Sequence, residues 1–209
     1  MTRSRYHSLT LLVCVAMFIQ GVATAQDQLK VDIETPKGWR TETLSLPTGF
    51  AKDMKLTGFE EVRFAPGMFR PDAEDFFTYC FVFCLPDQTP PNEKTLTLEL
   101  LKYYRGLAVA VTRRSDIDVK PDSFTLKITP VKDSKTKSRA VMTWVEPFAT
   151  QKPQTLNLEI ESVLDNSIKG CLLKIAVSPK PSDSEVWTPM RRMLKEARVT
   201  VTERRTQQQ

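Results

Sequence analysis

The hydrophobic pattern changes period along this chain. Residues 76–84 read Phe-Phe-Thr-Tyr-Cys-Phe-Val-Phe-Cys, and Pro86-Asp87 stops the run. A short aromatic and β-branched block ended by a breaker predicts a strand. Alternate positions are apolar on both sides, with Tyr79, Phe81 and Phe83 opposing Cys80, Val82 and Cys84, which predicts an interior strand covered on both faces. Just upstream, Val62 and Phe64 alternate with Glu61 and Arg63, and Pro66-Gly67 opens a turn. The carboxyl half alternates in the same period. Phe124, Leu126 and Ile128 oppose Thr125, Lys127 and Thr129; Leu156, Leu158 and Ile160 oppose Asn157, Glu159 and Glu161; Cys171, Leu173, Ile175 and Val177 oppose Leu172, Lys174 and Ala176; and residues 139–145 add a strand carrying Trp144. Half-wet strands joined by short polar turns predict an antiparallel meander.

Helical periodicity occurs twice. After Pro90-Pro91 a helix begins between Asn92 and Thr97, with Leu100, Leu101, Tyr104, Leu107, Ala108 and Val111 as the expected buried face and Gly106 as a point of close approach to the sheet. A shorter helix is expected near the end, with Thr188 as N-cap, Pro189 at the first helical position and a core stripe of Met190, Met193, Leu194 and Ala197. Arg191, Arg192, Lys195 and Arg198 would take the rest of its surface. Short strands are expected over 29–33 and 43–46, the latter ended by Pro47-Thr48-Gly49. The class this predicts is α+β, an antiparallel sheet with one long and one short helix packed on it.

The amino terminus changes the picture most. Arg3 and Arg5, an apolar run over 9–19 and Ala23-Thr24-Ala25 have the form of a secretory signal peptide over residues 1–25. Residues 26–201 then form a single α+β domain and 202–209 a polar tail, with the product periplasmic or extracellular. No segment carries the roughly 20 apolar residues of a membrane-spanning helix. The formal charge of +5 is spread among acids and does not argue for nucleic acid.

Cysteine and histidine narrow the chemistry. On one strand Cys80 and Cys84 lie about 13 Å apart, beyond the roughly 7 Å reach of a disulfide. A bridge from Cys171 to Cys80 or Cys84 stays open beside a reading of three buried thiols. His7, the one histidine, falls in the signal segment, so the exported chain has no Ser-His-Asp or Cys-His machinery and no histidine metal site. No metal and no cofactor is expected.

One loop remains as a candidate contact site. Met68, Phe69 and Arg70 stand beside Asp72, Glu74 and Asp75, and Trp39 is a further exposed-ring candidate. Apolar residues among carboxylates suit a binding lip; equally, Met68 and Phe69 close the sheet end while the acids are solvated. Three functions follow: a non-enzymatic domain binding a protein or cell-envelope component, a hydrolase acting through Asp72, Glu74 or Asp75, or a carrier of a hydrophobic ligand. Glu159 and Glu161 share a face and read as a solvated surface rather than a catalytic pair. The chain leaves oligomeric state open.

The order of strands, helix, four-strand meander and terminal helix resembles the PsbP-like α+β sandwich. Trp39 with Leu46-Pro47, the run Gly58-Phe59-Glu60-Glu61-Val62-Arg63-Phe64-Ala65-Pro66-Gly67-Met68-Phe69, and Tyr103-Tyr104-Arg105-Gly106-Leu107 also resemble secreted bacterial proteins to which no function is assigned. The resemblance implies export and a shared fold and carries no activity with it.

Overall fold

The computed structural model describes residues 29–114 and 119–201. The expected signal segment, its cleavage site and the polar tail lie outside the described residues. Nine strands and two helices follow in the order β1 (Leu29–Asp32), β2 (Arg40–Leu46), β3 (Gly58–Phe64), β4 (Tyr79–Leu85), α1 (Glu93–Thr112), β5 (Thr125–Pro130), β6 (Lys137–Val145), β7 (Pro153–Asp165), β8 (Gly170–Ser178), α2 (Trp187–Glu196) and β9 (Arg198–Val201). Strands β2 to β8 make one antiparallel sheet ordered β2-β3-β4-β8-β7-β6-β5, and β1 pairs with β9 in a separate ribbon. The class is α+β, with a long and a short helix on a large antiparallel sheet.

Doubly apolar strands take the centre of the sheet. All seven residues of β4 and all nine of β8 are buried. Tyr79, Phe81, Phe83 and Leu85 point into one core with Leu96, Leu100, Tyr103, Tyr104 and Ala108 of α1. Cys80, Val82 and Cys84 point into a second core, built with Trp187, Met190, Met193 and Leu194 of α2 and Val31 of β1. Each fully buried Phe or Leu contributes about 1.5–3 kcal/mol, so a strand apolar on both faces is stable only with cover on both. The two helices supply it from opposite sides. Strand β8 therefore departs from the half-wet expectation.

Several expectations shift for identifiable reasons. Phe76 and Phe77 precede β4; Phe77 sits at φ 51°, a left-handed conformation that turns the chain into the strand. Helix α1 starts after Asn92, whose side chain caps Thr95 N at 2.9 Å. Its buried face is Leu96, Glu99, Leu100, Tyr103, Tyr104, Ala108 and Thr112, with Leu101, Leu107 and Val111 only half-buried. The rotation comes from the segment between β2 and β3, which straps the helix flank. Glu99 Oε2 accepts Lys55 N and Leu56 N at 2.5 and 3.1 Å, and Lys102 Nζ donates to Asp53 O at 3.0 Å. Gly106 meets this strap, not the sheet: a Cβ there would lie 2.1 Å from Phe50 O.

Helix α2 begins at Trp187, so Thr188 is not its cap, and Pro189 falls within the first turn, where no intrahelical N–H is lost. Its stripe of Met190, Met193 and Leu194, with Ala197 just past the end, is buried as expected. Arg198, expected on the helix, opens β9. Glu61 and Arg63, which alternate with Val62 and Phe64, are buried as a 3.0 Å ion pair because the chain after β1 crosses them, Thr35 Oγ1 accepting from Arg63 Nε at 2.8 Å. Lys174 is buried too; its Nζ donates to Ala197 O at 2.8 Å and satisfies a carbonyl left over at the end of α2.

Candidate functional site: an aromatic platform at the sheet end

The loop between β3 and β4 is a chain of tight turns, not a floppy lip. Backbone bonds run from Met68 N to Ala65 O, Arg70 N to Gly67 O, Ala73 N to Arg70 O, and Phe77 N to Met68 O, at 2.9–3.1 Å. Asp75 Oδ2 accepts Gly67 N at 2.9 Å and fastens the two ends of the loop. Gly67 is required there, since a Cβ would lie 1.9 Å from Asp75 Oδ1. Glu74 pairs with Lys180 at 3.0 Å. Met68 is buried in the α1-side core, while Phe69 stays 38% exposed.

What holds Phe69 comes from three other segments. Its ring packs on Phe64 of β3 at 6.2 Å and on Phe148 at 5.3 Å between centroids. Arg40, at the start of edge strand β2, lays its guanidinium 4.9 Å from the ring centroid, within cation–π range. Phe148 is fixed in turn by Glu146. That fully buried carboxylate accepts Phe148 N at 2.6 Å, Ala149 N at 3.0 Å and Thr150 N at 2.5 Å. Behind them Phe77 contacts Trp144 at 5.3 Å and Phe148 at 6.1 Å, anchoring the platform in the core.

The structure therefore brings together only part of the predicted site. Phe69 joins Arg40, Phe64 and Phe148, which the sequence did not mark as site residues, because their separation along the chain carries no periodic signal. Arg70 and Asp72 are exposed nearby on the same loop. Asp75 and Glu74 are engaged as described. Trp39 packs against the α2-side core and does not share the platform. Cys80, Cys84 and Cys171 are free thiols, all buried. Opposite Cys84 stands Leu172, and opposite Cys171 stands Leu85. Cys171 thus faces the α1 side of the sheet, whereas Cys80 and Cys84 face the α2 side. Burial pushes the thiols up, to about 12 for Cys80 and Cys84 and about 11 for Cys171. Glu159 is tied to Arg191 of α2 at 2.7 Å and Glu161 to Lys137 at 3.7 Å.

A second polar cluster escaped the sequence reading altogether. Glu60 of β3 is completely buried under α1, Tyr103 Oη donating to its Oε1 at 3.0 Å. The hydroxyls of Tyr104 and Tyr79 bond each other at 2.7 Å nearby. Burial raises the Glu60 carboxyl to about 8, with Glu42 and Glu61 adding to the shift. The signal was present: Glu60 is in phase with Val62 and Phe64, the core side of β3.

Two open clefts lie elsewhere. One of about 250 Å³ separates the start of α1 from the β5–β6 turn, and one of about 290 Å³ is lined by Asp32, Glu34, Glu196 and Arg198. Among the described residues no group of three or more His, Cys, Asp and Glu side chains is placed to hold a metal ion. No described helix is long and apolar enough to cross a membrane. No protein-family model, no curated protein and no solved structure matches the chain.

Proposed function

We propose that this protein is an exported, non-enzymatic domain that binds a protein or another cell-envelope component through the Phe69 platform. One observation carries the reading: an aromatic ring is held by Phe64, Phe148 and Arg40 while 38% of the residue stays exposed. Aromatic and arginine side chains presented on rigid supports suit association, because little side-chain freedom remains to be lost on binding. Export enters from the arginine-led apolar amino terminus.

The alternatives draw less support. Asp75 fastens the loop itself and Glu74 pairs with Lys180 after β8, which leaves Asp72 without a second free carboxylate on the loop for a hydrolytic pair. The room a hydrophobic cargo would take beside β4 is filled by packed rings, Phe81 stacked on Tyr103 at 5.9 Å and Tyr104 edge-to-face with Trp144 at 5.3 Å.

The test is crosslinking of the purified protein to envelope fractions of its own cells, comparing the wild type with a Phe69→Ala, Arg40→Ala variant of matched stability. Loss of a defined crosslinked species in the variant is expected. Equal recovery from both proteins returns the platform to a purely structural role, and turnover of a glycan or ester abolished by Asp75→Asn would favour the hydrolase.

A further inference from the structure

The sheet is covered unevenly, and its uncovered part has a definite chemistry. Helix α2 packs on β4 and β8. Beyond it the outward residues of β6 and β5 are largely exposed and those of β7 from Asn157 to Val163 half-buried, an area three strands wide and about 10 Å from β7 to β5. The register fixes what this floor displays. Lys127 of β5 stands opposite Val141 of β6, and Arg139 and Lys137 follow on the same face of β6. Lys127, Arg139 and Lys137 therefore form a row, neighbours separated by about 7 Å. All three are exposed, and Val141 beside them is 49% exposed.

The carboxylates that would normally neutralise such a row are already engaged. Glu159 is the cross-strand neighbour of Arg139. Yet Arg191 takes both of its oxygens, Nε to Oε2 at 2.9 Å and Nη2 to Oε1 at 2.7 Å. Glu161 pairs with Lys137, a member of the row, at 3.7 Å, which leaves Lys127 and Arg139 as the row's uncompensated cations. No ion pair to Lys127 or Arg139 occurs among the described residues. Lys127 and Arg139, adjacent and without a carboxylate partner, repel one another, and an external anion would relieve that repulsion.

We propose that this open face of β5, β6 and β7 binds a linear polyanion carrying phosphate groups along its length. The row of cations supplies the charge complement. Thr125, Thr129, Thr143 and Thr155 add exposed hydroxyls on the same face. Helix α2 borders the floor along β7, where Arg191 crosses to Glu159, so a polymer has a ledge to lie against. No aromatic ring is displayed on these three strand faces, which favours a polymer without bases over a single-stranded nucleic acid, whose binding relies on stacking. This surface is separate from the Phe69 platform and stands or falls independently of it.

The test is equilibrium binding of the purified protein to long-chain inorganic polyphosphate across a salt series. Binding that weakens with salt is expected, with the slope of log affinity on log salt reduced by about 2 in a Lys127→Glu, Arg139→Glu variant. A control of equal charge change, Lys52→Glu with Lys94→Glu, alters exposed lysines away from this face and should bind as the wild type does. Absence of binding at low salt overturns the proposal, as does equal weakening by the control pair. Tighter binding to phosphatidylglycerol vesicles, or to an oligonucleotide of matched charge, would replace the polymer with a membrane or a nucleic acid and overturn it too.

Discussion

Tyr103 in α1 donates its phenolic hydrogen to Glu60 Oε1 in β3 at 3.0 Å, and Glu60 Oε2 has no hydrogen-bond partner. One oxygen of a fully buried carboxyl is satisfied and the other is not, so the group is cheaper to bury as the neutral acid. Because burial raises its folded-state value from 4.5 to about 8, the folded protein holds a proton there that the unfolded chain releases. Between those values folding takes up a proton, and this contribution to stability is full below about pH 4.5 and falls as pH rises to about 8. The decline has a slope of up to about 1.4 kcal/mol per pH unit. Urea unfolding across pH 5–9 should show it, and Glu60→Gln, neutral throughout, should flatten it. A profile unchanged by the substitution would mean that Glu60 is ionised in the folded state.

Gly106→Ala is expected to destabilise the protein although alanine is the better helix former by about 1 kcal/mol. The new Cβ would meet the carbonyl oxygen of Phe50 at 2.1 Å, and Glu99 and Lys102 hold that strap against the same helix. A lowered melting temperature checks this; a raised one would show that the strap yields.

The two rings that meet at Phe148 should respond very differently to truncation. Phe77 is 1% exposed and touches Tyr79 and Trp144, so Phe77→Ala should cost about 3–5 kcal/mol. Phe69 is more than a third exposed, and Phe69→Ala should cost about 1 kcal/mol or less. Denaturant titration of both variants separates a core ring from a displayed one.

Glu146→Ala removes the buried acceptor for the amides of Phe148, Ala149 and Thr150 at a part-buried turn. A loss of about 2–3 kcal/mol is expected, because those donors lose a charged partner together. Hydrogen exchange should quicken at these amides before it does in β4. Protection equal to that of the wild type would show that the turn forms without the carboxylate.

Cys80, Cys84 and Cys171 should resist a thiol reagent in the native protein and react only on unfolding. Each is fully buried, and burial holds each thiol well above neutral pH. Rapid native labelling of any of the three, located by mass spectrometry, would contradict this placement.

Period-two and period-3.6 patterns carried much of this architecture, since each strand or helix shows its own burial as a local rhythm. The doubly apolar stretch that became β4, the meander from β5 to β8 and the Met190, Met193 and Leu194 stripe were all legible that way. The helical register of α1 was less so: Glu99 and Tyr103 turned inward because a strap and a buried Glu60 receive them, partners 43 or more residues away in the chain. The ribbon of β1 with β9 was equally hidden, since pairing Leu29 with Val201 closes nearly the whole described chain.

The candidate surfaces divide the same way. Phe69 stood out in the sequence as an apolar residue in a loop, and its exposure agrees with that. Its partners Arg40, Phe64 and Phe148 come from three segments that only the folded sheet end gathers. Likewise Lys127, Lys137 and Arg139 are ordinary surface cations until register sets them side by side and Arg191, from α2, occupies Glu159, the carboxylate across from Arg139. Sequence alone determined which residues seek the interior and which strands need cover on both faces, because hydrophobicity and backbone period are local properties. Tertiary structure decided which charges are neutralised and which rings are displayed, because both depend on neighbours that chain order does not specify.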